Sequence, residues 1–106
     1  MPWLKSFWMK ISKEERKRRS EQMWEVFHKI WEKRPHYSEL SWTWLGKEIS
    51  SLYFHHILPK SKYEEAMFDE DNIILLTWNE HENVERNPTR YDEINKRREK
   101  LKEKYG

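Results

Sequence analysis

Two short runs in the middle of the chain, residues 49–57 and 72–76, read as strands, and the remaining regular segments read as helix. The first alternates loosely between apolar and polar residues. The second, Asn72-Ile73-Ile74-Leu75-Leu76, is a compact apolar run of the kind strands favour. A loop over residues 58–71, with Pro59 near its start and a charged end, separates them. Two strands joined this way can pair as a hairpin, and a helix packed against a hairpin makes the chain α+β.

The helical segments lie on both sides. Ser12-Lys13-Glu14-Glu15 has the capping-box form, so a helix is expected from there to about Arg34, where Pro35 stops it. Met23, Phe27, Ile30 and Trp31 form one apolar stripe at helical spacing. The start of this helix carries the basic run Arg16-Lys17-Arg18-Arg19, which should protrude or meet something acidic. Before it, Trp3-Leu4-Lys5-Ser6-Phe7-Trp8 is aromatic and suggests no element. Residues 36–48 look like a compact knuckle in which Trp42 and Trp44 flank Thr43 and Gly46 supplies a turn. A short helix is expected from Trp78 to about Glu85, a break at Asn87-Pro88-Thr89, and a last helix from Tyr91 to Lys104. The chain therefore reads as one domain: a basic helical segment over 1–35, a core over 36–87 and a C-terminal helix over 88–106.

The composition narrows the function. With 106 residues, 38% of them charged, and a mean hydropathy of −1.21, the bulk of the core must come from seven Trp, five Tyr and four Phe. Without cysteine, disulfides and thiolate metal sites are excluded. No apolar run reaches membrane-spanning length and the N-terminus lacks an apolar signal core, so a cytoplasmic protein with no membrane partner is expected. Charge is uneven. Residues 1–34 carry ten basic and five acidic side chains, net +5; residues 35–87 carry four and ten, net −6; residues 88–106 carry seven and four, net +3. Basic flanks suit a polyanion, and an acidic middle suits a cation.

That acidic middle holds His36, His55, His56 and His81. Imidazole is a good ligand for transition metals and, when neutral, the commonest general base. Asn72 suits a loop-holding role, since side-chain amides bond turns. A hairpin followed by a helix would bring His55-His56 close to His81. Glu85 lies one helical turn beyond His81 and could face the same point.

His55-His56-Ile57-Leu58-Pro59-Lys60-Ser61, Asp71-Asn72-Ile73-Ile74-Leu75-Leu76 and His81 together resemble the HNH endonuclease family, with its ββα-metal fold. The likeness covers residues 36–85. It implies that His55 and His81 hold one divalent ion (Mg, Mn, Ni or Zn), with Glu85 as a further ligand. It implies that His56 activates water, and that Asn72 constrains the loop and orients that base. The expected activity is hydrolysis of phosphodiesters in DNA, leaving 5′-phosphate and 3′-hydroxyl ends. Arg16, Lys17, Arg18, Arg19, Lys60 and Lys62, with the basic stretch 97–104, would hold the backbone. Small stand-alone members of this kind look like phage proteins, which would place the chain in the host cytoplasm.

Adjacent strand residues point to opposite faces, so His55 and His56 can serve one site only if the strand ends or distorts there; Pro59 makes an early end plausible. The chain also departs from the family pattern. Where two C-x-x-C pairs often hold a structural zinc, it carries Ser38-Glu39-Leu40-Ser41 and Thr77-Trp78-Asn79-Glu80. Hydroxyls do not replace thiolates on zinc. No structural zinc is expected, and Trp42, Trp44 and Trp78 are the expected substitute. The lost cysteines admit a second reading, a degenerate nucleic-acid-binding module that kept the fold, and the tryptophans a third, a helical protein that meets a partner through a Trp-rich face.

Overall fold

The computed structural model describes residues 12–106, and the aromatic stretch 3–8 lies outside them. Helix α1 runs over Lys13–Lys33. The Ser12 side chain accepts the Glu15 N–H at 3.1 Å, which is half of the expected capping box. The other half is missing because the Glu15 carboxylate turns to Arg18 and Arg19 instead. At the far end Arg34 is extended, as the residue before a proline must be, and α1 stops.

Strand β1, Phe54–His56, pairs antiparallel with β2, Ile73–Leu75, placing His55 opposite Ile74 and His56 opposite Ile73. Both strands are shorter than the sequence suggests. The Ser50 hydroxyl accepts the Leu52 N–H at 3.3 Å and winds Ser51–Tyr53 into a 3₁₀ turn, so extension begins only at Phe54. Asp69 does the same for Glu70–Asn72, its carboxylate accepting the Asp71 N–H at 2.9 Å, so Asn72 precedes the strand. Helix α2 follows over Trp78–Arg86, and α3 over Asp92–Tyr105. The architecture is α+β, with three α-helices and one two-stranded hairpin among the described residues.

The hairpin is the middle layer. Phe54, Ile73 and Leu75 pack with Met23, Phe27, Ile30 and Trp31 of α1. Ile74 and Leu76 pack on the other side with Val84 of α2 and with Ile94 and Leu101 of α3. Because β2 is covered on both faces, its sequence is continuously apolar instead of alternating. Ile74 is wholly buried, and its truncation to alanine should cost about 2–5 kcal/mol.

An open strand edge invites pairing with other chains, and two charged side chains close the outer edge of β2. Arg34 donates to the Ile73 carbonyl at 2.6 Å, and the Glu39 carboxylate accepts the Leu75 N–H at 2.7 Å. The two are bonded to each other at 2.9 Å, and Arg97 of α3 completes the Glu39 carboxylate at 3.0 Å.

The knuckle is closed by polar contacts, which corrects the expectation for the tryptophans. Trp42, Trp44 and Trp78 are 69%, 52% and 48% exposed. They do not fill the space a zinc would hold. Instead Ser38, fully buried, donates its hydroxyl to Glu80 Oε1 at 2.5 Å and accepts the N–H groups of Leu40 and Ser41 at 3.1 and 3.2 Å. The same Glu80 oxygen accepts the Thr77 N–H at 2.9 Å, while Thr77 Oγ1 accepts the Glu80 N–H at 3.2 Å. This is a complete capping box at the start of α2. No helix among the described residues is long and apolar enough to cross a membrane.

Candidate metal centre

The alternation of β1 sends its two histidines to different neighbours. His55 turns toward α2, its ring 5.0 Å from that of His81 and nearly perpendicular to it. His56 turns toward α1, 6.4 Å from the Phe27 ring. The strand ends at His56, and both rings line one cleft. The alternation is kept, and the two rings reach the cleft from opposite faces of the strand.

Three side chains converge on the α2 side. His55 Nδ1 and His81 Nε2 lie 3.5 and 3.4 Å from the same oxygen, Glu85 Oε1. Each of the three offers one ligand atom within 4.8 Å of the others, and together they could hold a metal ion. Atoms bound about 2.1 Å from one tetrahedral ion lie roughly 3.4 Å apart, so the spacing fits. The protons fit as well. His81 Nδ1 is 2.8 Å from the Leu52 carbonyl, which can only accept, so Nδ1 carries the proton. That leaves Nε2, 3.4 Å from the Glu85 carboxylate, as the nitrogen able to take a metal ion. A backbone carbonyl bonded to the far nitrogen is the usual support for a metal-binding histidine. Burial lowers the His55 pKa to about 4, with His81, His56 and Arg98 adding to the effect. His55 is thus unprotonated and able to bind metal near neutral pH.

His56 is held separately. Its Nε2 lies 2.9 Å from the Met67 carbonyl and donates to it, which leaves Nδ1 as the ring's lone pair. Burial holds its pKa below the ordinary value, against the opposing pull of the Met67 bond and with help from Lys60 and His81. Asn72, fully buried, secures the loop that supplies this carbonyl. Its Oδ1 accepts the Leu58 N–H at 2.7 Å, and its Nδ2 donates to the carbonyls of Leu58 at 3.2 Å and Ala66 at 3.1 Å. Ala66 precedes Met67, so Asn72 fixes the position of the group that orients His56.

The cleft has a volume of about 970 Å³ and runs from these rings along α1. Of the basic residues singled out in the sequence, Arg16, Arg19 and Lys60 line it, whereas Lys17, Arg18 and Lys62 do not. Arg19 also meets Glu64 at 2.7 Å, the acidic contact expected for this end of α1. Arg18 is paired with Glu15, and Lys62 sits over the Tyr63 ring. In the stretch 97–104, Arg98 alone reaches the cleft; Arg97 is engaged by Glu39 and Glu93, and Lys104 by Asp69. Arg98 is held by the Pro88 carbonyl at 2.6 Å and by Asn95 at 2.8 Å. Sequence reasoning could not separate it from its neighbours, since Glu39, which holds Arg97, and Asp69, which holds Lys104, are distant in the chain. The roles of the Leu52 and Met67 carbonyls also left no sequence signal, because any residue type supplies that group. His36 stays out of the site, stacked on Trp31 and bonded to its carbonyl at 2.9 Å.

No protein-family model, curated protein or solved structure matches the chain. The functional reading therefore rests on the residues and their geometry.

Proposed function

We propose that the chain is a metal-dependent endonuclease of the HNH type, hydrolysing phosphodiester bonds in DNA. One observation carries this reading: a cleft edged with basic side chains contains both the His55–His81–Glu85 convergence and a separate neutral imidazole, His56, held by its far nitrogen. A divalent ion on His55, His81 and Glu85 would supply positive charge to offset charge developing on the phosphoryl and leaving oxygens.

The protein's own residues do the rest. His56 Nδ1 takes a proton from water as the water oxygen bonds to phosphorus. The 3′-oxygen then leaves and is protonated by solvent, giving 5′-phosphate and 3′-hydroxyl ends. The Met67 carbonyl keeps the His56 ring in one tautomer and stabilises its charged form. Asn72 holds the loop carrying that carbonyl. Arg16, Lys60 and Arg98 offer charge to the phosphates, and Arg19 less, because Glu15 and Glu64 already hold it. A second reading has its own support, because the exposed Trp42 and Trp44 suit a face that meets a partner.

The test is plasmid cleavage with Mg²⁺, Mn²⁺, Ni²⁺ and Zn²⁺ in parallel, for the wild type and His56→Ala. The variant should fold and bind metal normally but cleave roughly 10²–10⁴-fold more slowly. Near-full activity in the variant would remove His56 from the base role. Absence of cleavage by the wild type with every metal would leave a binding module.

A further inference from the structure

The cleft beside the metal centre is not built like a groove for the outside of a duplex. It is lined by the basic Arg16, Arg19, Lys60 and Arg98, but also by apolar side chains: Met23, Trp24 and Phe27 of α1 with Phe54, Ile57 and Met67. A duplex presents phosphates and sugars on its exterior, which need charge and hydrogen bonds. A single strand can also turn its base faces outward, and those faces pair with aromatic side chains between basic ones.

The order of residues along α1 matches such a strand. Arg16, Ser20, Trp24 and Phe27 fall three or four residues apart on one helix face, and all four line the cleft. Arg16 and Trp24 are separated by about 12 Å of helix rise. Phe27 then leads to His56, 6.4 Å away between ring centres. Trp24 is 39% exposed, yet its ring is braced edge-on by Phe27 at 5.7 Å and by the tilted ring of His28 at 5.8 Å. A braced indole that still opens to solvent is a ready stacking platform.

We propose that this cleft takes an unpaired nucleic-acid strand, with one base stacked on Trp24 next to the phosphate presented to His56. The inference deepens the nuclease reading and rests on its nucleic-acid partner, but it can be read without cleavage. The experiment measures fluorescence anisotropy of a labelled oligonucleotide in EDTA, as a single strand and as the perfect duplex of the same sequence, at one salt concentration. The single strand should bind at least about tenfold more tightly. Trp24→Ala should weaken single-strand binding roughly 5- to 150-fold, the range for loss of one base–aromatic stack, and leave duplex binding unchanged. Trp24→Phe should recover most of the loss, which separates stacking from misfolding. Equal or tighter duplex binding would overturn the proposal, as would a Trp24→Ala loss that is the same for both forms. Cleavage of the same single-stranded and duplex oligonucleotides, by the same protein with Mn²⁺ in place of EDTA, separates the two readings. Cleavage without single-strand preference sinks this inference alone, strand binding without cleavage sinks the nuclease alone, and neither binding nor cleavage sinks both.

Discussion

Glu80 and His81 are neighbours on α2, yet they serve two regions built on opposite principles. Glu80 belongs to the knuckle, where its Oε1 accepts from the Ser38 hydroxyl and the Thr77 N–H. Every contact there pairs a donor with an acceptor, so the region is complete without an ion. His81 belongs to the cluster with His55 and Glu85, where Nδ1–H is given to Leu52 and Nε2 lies 3.4 Å from a carboxylate oxygen. Both regions join separate parts of the chain through a few polar side chains. What distinguishes them is closure: the polar network pairs its own donors and acceptors, whereas two imidazoles and a carboxylate converging on one point offer a ligand set to a cation.

Acid should separate the two most strongly. The ordinary histidine value is 6.5 and folded His55 sits at about 4, so in that window the unfolded chain binds more protons than the native one. Stability of the metal-free protein should therefore fall as pH drops from 6.5 toward 4, by up to about 3 kcal/mol. Glu80 behaves differently. Burial raises its pKa, but bonds from Ser38 and Thr77 outweigh this and hold it below 4.5, so its contribution is present above that value and lost only below it. Urea melts in EDTA across pH 4–7 check this; a flat profile between 6.5 and 5 would mean that His55 is not buried as a neutral ring.

Mutations at the two carboxylates should diverge next. Glu80→Ala leaves the Ser38 hydroxyl and the Thr77 N–H without their acceptor, and should cost about 2 kcal/mol whether or not metal is present. Thr77→Ala removes the cap alone and should cost about 1 kcal/mol. Glu85→Ala in EDTA should change stability by no more than about 0.5 kcal/mol, since its carboxylate is 64% exposed and an exposed ion pair adds little. Thermal and urea melts of the three variants measure the order. A Glu85→Ala loss equal to that of Glu80→Ala would show an ordinary ion pair in place of a ligand set.

Local signals made the helices legible. Ser12 and Pro35 bound α1, and Thr77 with Glu80 marks the start of α2, because caps and proline act within a few residues. The strands read too long because Ser50 and Asp69 bend the chain through short side-chain bonds that alternation does not register. His55, His81 and Glu85 could be grouped from strand position and an i,i+4 spacing, and the structure brings these three together. The tryptophans were misread because a large apolar side chain suggests core, while exposure depends on what packs over it. Trp42 also has a φ of +60°, an uncommon backbone conformation for so bulky a residue. The closure of the β2 edge by Arg34 and Glu39 was not legible either. Arg34 reaches Ile73 from 39 residues away, and Glu39 reaches Leu75 from 36.

Calorimetric titration of EDTA-stripped protein with Mn²⁺ tests the central claim most directly. The wild type should bind one ion per chain. His55→Ala and His81→Ala should each lose more than the roughly 10–100-fold in affinity that removal of a mere supporting partner costs. Glu80→Ala should titrate like the wild type despite its lower stability. Absence of binding heat in the wild type, or unchanged affinity in both histidine variants, would contradict the account.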